Sequence, residues 1–473
     1  MEDTVNALID NFDPSRIDTF EQRYLVYDKF WHQGGPVLLY LGNEGPIEEF
    51  YNYTGVMFEH AVVLNALVVF VEHRYYGKSQ PYGSNPSQHE LRGLTVEQAM
   101  ADYAWFIRTF RKRRGCRADE CPIVTFGGSY GGMLVAWFRQ KYPQLTVGGV
   151  GCGAVIDFYS SAGRQAAFWN ATMHTFKQFG SVECPHVVDE QLTALRVLAP
   201  SKHGRLVLQE RLHSCEPLEE EDTAGEKLEF FIRGVLSSLA MLDYTEPSSF
   251  VTPLPANPVA VACAGLGAEK ESVDSLKKVI DLYLNATGNF RCYDFLAEIV
   301  GRPTDGHLLG PMVPPDMGPW QYQACTELPL QTLASDNLGF FVASDSQLSN
   351  MAAACRMRYG VIPRVDWLPL SLGGSDLRVG NLFFTDGEKD PWRTGSIRLD
   401  KVKPGVDIQH LIIPGAAHHE DLRFDSQPPR PQVQDAKLKV RETMQRWLTS
   451  AAVANAPMDV APQRLPRIQA LLV

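Results

Sequence analysis

Pro122-Ile123-Val124-Thr125-Phe126-Gly127-Gly128-Ser129-Tyr130-Gly131-Gly132-Met133 is the stretch that decides the fold. An apolar run of strand length enters a Gly-Gly-Ser-Tyr-Gly turn, and Leu134, Val135, Ala136, Trp137 and Phe138 then begin a helix. Strand, sharp turn and helix around G-x-S-x-G make a nucleophile elbow. The glycines two before and two after the serine are needed because the turn's backbone passes close to a strand on one side and a helix on the other. Five letters alone could equally be a Gly-rich turn with an idle serine, so the rest of the chain must decide.

Working outward, Val37 to Leu41 and Leu67 to Val71 read as short buried strands, and residues 1 to 31 as a lead-in segment. The first strand ends in Gly42-Asn43-Glu44-Gly45, the second in Glu72-His73-Arg74-Tyr75-Tyr76-Gly77-Lys78-Ser79. Leu94 to Phe110 reads as an amphipathic helix behind a Thr95-x-x-Gln98 capping box, with the cationic run Arg111 to Arg114 at its C-terminal end. After the elbow comes Val147 to Val155; strands alternating with helices predict a parallel sheet covered by helices. From Phe158 to Ser371 the pattern becomes helical, at Val187 to Leu198, Glu226 to Leu242 and Ser272 to Leu284, with Pro-rich connections between. Strand patterns resume at Asn381 to Thr385 and Ile408 to Ile413, and Val433 to Leu448 reads as a closing helix.

The expected architecture is therefore α/β, a core in two parts (1–157 and 372–450) interrupted by a mainly helical insertion (158–371) and followed by a tail (451–473). Ser129, Asp390 and His418 each follow a predicted strand, in the chain order of an α/β-hydrolase triad. A serine hydroxyl needs an imidazole to take its proton, and the imidazole needs a carboxylate to hold its tautomer. Asp386 is a rival acid, Asp390 could merely form an Asx turn with Pro391, and His418 could be a loop histidine. The N–H groups of Tyr130 and Gly45 are the candidate oxyanion donors, and Met133 and Trp392 could face a small apolar pocket or belong to ordinary core.

The 473 residues carry a net charge of -11, which argues against nucleic acid as a partner, and no apolar run is long enough to span a membrane. No metal or cofactor is called for. Six of the nine cysteines, Cys184, Cys215, Cys263, Cys292, Cys325 and Cys355, fall in the helical region with no C-x-x-C pair, which predicts disulfides and an oxidising compartment. Asn52, Asn170 and Asn285 head glycosylation triplets, although Met1-Glu2-Asp3 opens no signal peptide.

Taken together, Gly42-Asn43-Glu44-Gly45, Glu72 to Ser79, Gly127 to Met133, Asp390-Pro391-Trp392 and His418-His419-Glu420-Asp421-Leu422-Arg423 resemble the prolyl-cleaving serine peptidases that include lysosomal Pro-X carboxypeptidase and dipeptidyl peptidase II. Leu94 to Ala99, Leu254 to Val259 and Tyr322 to Glu327 resemble dipeptidyl peptidase II more closely. The resemblance implies an α/β-hydrolase core under a helical cap, a peptide substrate, glycosylation, a homodimer, and residence in lysosomes, secretory vesicles or outside the cell. It assigns nucleophile, acid and base to Ser129, Asp390 and His418, and triad support to His419 and Arg423. It also suggests the pairings Cys184–Cys263, Cys215–Cys292 and Cys325–Cys355, with Cys116–Cys121 as a fourth bridge and Cys152 unpaired.

The function expected on these grounds is release of N-terminal dipeptides with proline or alanine second. The near alternative is removal of a C-terminal residue after proline; a catalytically silent binding protein or an esterase stands further off. A dipeptidyl peptidase must hold the substrate's α-amine, and Asp305 and Glu44 are the two candidate carboxylates.

Overall fold

The computed structural model describes the chain apart from residues 118–119, 159–164, 219–222, 268–272, 296–317, 330–344 and 456–473. Among the described residues eight strands form one sheet: β1 (Glu2–Leu8), β2 (Thr19–Tyr27), β3 (Val37–Leu41), β4 (Leu67–Val71), β5 (Ile123–Gly128), β6 (Gly148–Cys152), β7 (Leu382–Gly387) and β8 (Ile408–Ile413). Their spatial order is β1-β2-β4-β3-β5-β6-β7-β8. From β4 to β8 every pairing is parallel, whereas β1 and β2 add an antiparallel edge. The inner strands β3, β4, β5, β6 and β7 are buried at every residue, as continuous apolar runs in a sheet covered on both faces must be. This is the α/β-hydrolase arrangement.

The antiparallel edge corrects the expected lead-in segment. In β2, Gln22 and Arg23 occupy buried positions, and Arg23 is accommodated because its guanidinium pairs with the buried Glu72 at 2.5 Å. A charged residue on a buried strand needs such a partner, and the partner lies 49 residues away. Arg74 is held similarly: it donates to both oxygens of Asp102 at 2.6 Å and to the carbonyls of Leu8, Ile9 and Gly93 at 3.0 Å. Half of the predicted capping box forms: Thr95 accepts from the Gln98 N–H at the start of helix Val96–Arg113, whereas the Thr95 N–H donates to the Gly93 carbonyl and the Gln98 side chain turns to Asp10 and Asn11.

Between β6 and β7 the chain builds helices with an apolar core of their own, including Leu195, Leu208, Leu228, Leu239 and Ile280. Cys184–Cys263 and Cys215–Cys292 cross-link this layer, Cys325–Cys355 joins helices Gly318–Thr326 and Asp345–Tyr359, and Cys116–Cys121 closes a small loop before β5. Cys152 remains a buried thiol.

Candidate active site

Ser129 sits between β5 and helix Tyr130–Lys141 with φ 54° and ψ -123°, a strained conformation that the surroundings must enforce. Its N–H donates to the Cys152 carbonyl at 2.8 Å, and its own carbonyl accepts from the Met133 N–H at 3.1 Å. A Cβ on Gly127 would lie 2.2 Å from the Gly131 carbonyl oxygen, so a side chain there would force the elbow open. Ser129 is part-exposed within an otherwise buried stretch.

Asp390 follows β7 and opens the short helical turn Pro391–Gly395. One carboxylate oxygen accepts from the Trp392 N–H at 3.0 Å, and the other lies 2.5 Å from Nδ1 of His418. Both oxygens are thus engaged, one in the Asx turn and the other with the imidazole. Asp386, the rival acid, is turned to His410, whose Nε2 lies 2.6 Å away. With Nδ1 of His418 donating to Asp390, Nε2 is left as the proton acceptor. A Cβ on Gly153 would come within 2.7 Å of Cε1 of His418. Only a glycine beside the elbow leaves the imidazole that space, and Gly153 also has φ 61°.

A strap of the helical layer, Met241 to Tyr244, holds the loops that carry Asp390 and His418. The His418 N–H donates to the Met241 carbonyl at 3.0 Å, and its carbonyl accepts from the Tyr244 hydroxyl at 3.1 Å. Lys389, next to Asp390 and buried, donates to the Asp243 carbonyl and lies 2.8 Å from its carboxylate. Trp392 donates to the Met241 sulfur at 3.1 Å. None of these contacts was legible in the sequence, because each joins positions more than 140 residues apart; the buried Lys389 carries no periodic signal.

The remaining candidates fall as follows. Met133 and Trp392 belong to one buried apolar cluster, where the Trp392 ring meets Phe168 edge-on at 4.7 Å. Gly45 is a correction: its N–H donates to the Asn43 carbonyl at 2.8 Å, so the tight turn already uses that donor. The Glu44 carboxyl accepts from Asn43 at 2.8 Å, and burial pushes its pKa up. The ring of His419 lies 4.2 Å from that of His418, and burial, then the charges of His418 and Arg423, hold its pKa well below the usual histidine range. The guanidinium of Arg423 lies 4.2 Å from the Tyr244 ring and 5.1 Å from Tyr53, and donates to Ser248 at 3.1 Å. Asp305 lies outside the described residues. Asn52 and Asn170 are exposed, whereas the Asn285 side chain exchanges two 2.9 Å hydrogen bonds with the Phe290 backbone.

Sequence assigned Glu327 no role. Buried at the end of helix Gly318–Thr326, it accepts the Val96 N–H at 2.6 Å, and burial pushes its pKa up to about 7. A carboxyl that prefers its proton when folded contributes stability that is fully present below the ordinary glutamate pKa and lost as pH rises through about 7. Thermal unfolding measured against pH should therefore show stability falling from about pH 5 to 7, by on the order of 2 kcal/mol from this group. Glu327→Gln should flatten that fall; an unchanged slope would remove Glu327 as its source.

Among the described residues no cluster of histidine, cysteine or carboxylate side chains could hold a metal ion, and no helix is long and apolar enough to cross a membrane. Similar proteins cover nearly the whole chain. Bovine (Bos taurus) lysosomal Pro-X carboxypeptidase is 34% identical over 464 residues, covering 96% of this chain and 89% of that protein. The human enzyme of that name is 35% identical over 452 residues, covering 93% and 86%. Human thymus-specific serine protease is 27% identical over 486 residues, covering 96% and 88%. These relatives give no support to the expected closeness to dipeptidyl peptidase II. The model of the family described as serine carboxypeptidase S28 matches residues 7–440, and the chain belongs to that serine peptidase family.

Proposed function

We propose that the chain is a serine exopeptidase that removes the C-terminal residue of peptides whose penultimate residue is proline. The observation that carries the chemistry is the 2.5 Å contact between Nδ1 of His418 and Asp390, beside a serine held at φ 54° at the start of a helix. In this reading Ser129 Oγ attacks the scissile carbonyl and gives its proton to Nε2 of His418. Asp390 keeps the imidazole in the required tautomer and stabilises its charged form. The Tyr130 N–H, first in the helix, faces the developing oxyanion, where removal of a single donor costs about 100- to 1000-fold. The proton on His418 then passes to the leaving amine, and water repeats the sequence on the acyl-enzyme. Trp392 and Met133 supply apolar surface suited to a pyrrolidine ring.

The carboxypeptidase direction is favoured by the names of relatives at 34% and 35% identity. Four disulfides fit a lysosomal or secreted setting.

A peptide panel tests the direction. N-blocked peptides ending in Pro-X with a free carboxylate should be cut at the Pro-X bond, at least about tenfold better than free-amine X-Pro or X-Ala amides of equal length. The opposite preference would reinstate the dipeptidyl reading. A serine-directed phosphonate that fails to label Ser129 would leave a silent binding protein.

A further inference from the structure

Tyr130 is the residue whose N–H serves the oxyanion in the reading above, and its side chain is gripped by the cap. The helix Gly318–Thr326 presents Trp320 and Gln323, three residues apart and hence on one face, to the Tyr130 ring. The Trp320 ring centroid lies 5.3 Å from that of Tyr130, and the Gln323 amide nitrogen lies 3.1 Å from the Tyr130 hydroxyl. Gln323 is fully buried, and its amide oxygen accepts from the Tyr76 hydroxyl at 2.6 Å. On its other side the Tyr130 hydroxyl meets Nε2 of His73 at 3.1 Å, and Nδ1 of His73 lies 2.7 Å from the Arg74 carbonyl.

The direction of every bond in this chain follows from one fixed point. A carbonyl can only accept, so Nδ1 of His73 carries the proton. Burial holds the His73 pKa down to about 3, so the ring is neutral and Nε2 must accept. The Tyr130 hydroxyl therefore donates to His73, and its oxygen accepts from the Gln323 N–H. The Gln323 carbonyl then accepts from Tyr76. Glu327 agrees with this orientation, since its carboxyl also faces the Gln323 amide and favours N–H on that side. The helix bearing Gln323 is anchored by Cys325–Cys355 and by the bond from the Val96 N–H to Glu327.

The geometry points to Gln323 as a positioning residue, a cap side chain that fixes Tyr130 through a one-way hydrogen-bond relay from Tyr76 to His73 and so aims the N–H that follows Ser129. This rests on the serine peptidase reading. The relay needs a group at 323 that donates on one side and accepts on the other. Glutamine does so at every pH; a carboxyl does so only while protonated, and an ionised one would pull the Tyr130 proton away from His73 and leave Nε2 unmet.

Gln323→Leu should lower kcat about tenfold with KM within about twofold, less than the roughly 100- to 1000-fold of a lost oxyanion donor. The isosteric Gln323→Glu carries the decisive readout, the ratio of its kcat to the parent's as a function of pH. Next to position 323 stand Tyr76 from the loop after β4, Tyr130 from the elbow helix, and Glu327; His73 lies beyond Tyr130, and Tyr103 from Val96–Arg113 and Glu44 from the loop after β3 act on Tyr76. Burial and the neighbouring Glu327 push the new carboxyl's pKa upward. The ratio should lie near one at about pH 4.5 and fall about tenfold by about pH 7.5, while titrations shared with the parent cancel. A ratio flat with pH, near one or depressed, would overturn the positioning role. It remains readable even where the leucine variant fails to fold. Phosphonate titration of the parent at Ser129 separates this outcome from failure of the serine peptidase reading itself.

Discussion

Ser129→Ala is expected to lower kcat/KM on Pro-X substrates by at least about 1000-fold while leaving the thermal unfolding midpoint unchanged. Removing a triad member costs orders of magnitude, and what is left comes from the oxyanion donor and binding. Stability should hold because the bonds that fix residue 129 are made by its backbone, the N–H to Cys152 and the carbonyl from Met133. Alanine at φ 54° is strained as serine is, so the substitution neither relieves nor adds backbone cost. Chromogenic rates, with circular dichroism melting of the same samples, give both quantities. A loss of only a few-fold would remove Ser129 as nucleophile.

The parts of this fold that were legible in sequence are those whose cause is local. The apolar runs of β3, β4, β5 and β7 announce strands because a parallel sheet covered on both faces buries both sides of each strand and so favours apolar side chains. Thr95 and Gln98 announce a helix start because the cap is made within four residues. The elbow is legible because its glycines answer a local crowding, 2.2 Å at Gly127. What stayed hidden depends on distant partners. Strand β2 places Arg23 in the interior, which reads as loop until Glu72 is beside it. The strap Met241 to Tyr244 and the relay through Gln323 act on His418 and Tyr130 from far along the chain, and nothing in their own neighbourhoods marks them. Gly45 was misjudged because composition identifies a turn without saying which N–H the turn consumes.

The choice between two acids four residues apart is the sharpest case, and it yields the second large effect. Asp390→Asn should lower kcat by about 10,000-fold, the scale seen when a triad carboxylate becomes an amide. Asparagine at 390 can keep accepting the Trp392 N–H through its oxygen, which turns its NH2 group toward Nδ1 of His418. Nδ1 must then accept, the ring proton moves to Nε2, and the imidazole can no longer take a proton from the serine. Asp386→Asn should change kcat by less than about fivefold, since Asp386 faces His410 and its loss leaves the His418 tautomer untouched. Its cost should appear instead in stability, as the part-buried contact with His410 is weakened. Steady-state kinetics on both variants decide the matter, because equal losses, or a larger loss at 386, would transfer the acid's role to Asp386.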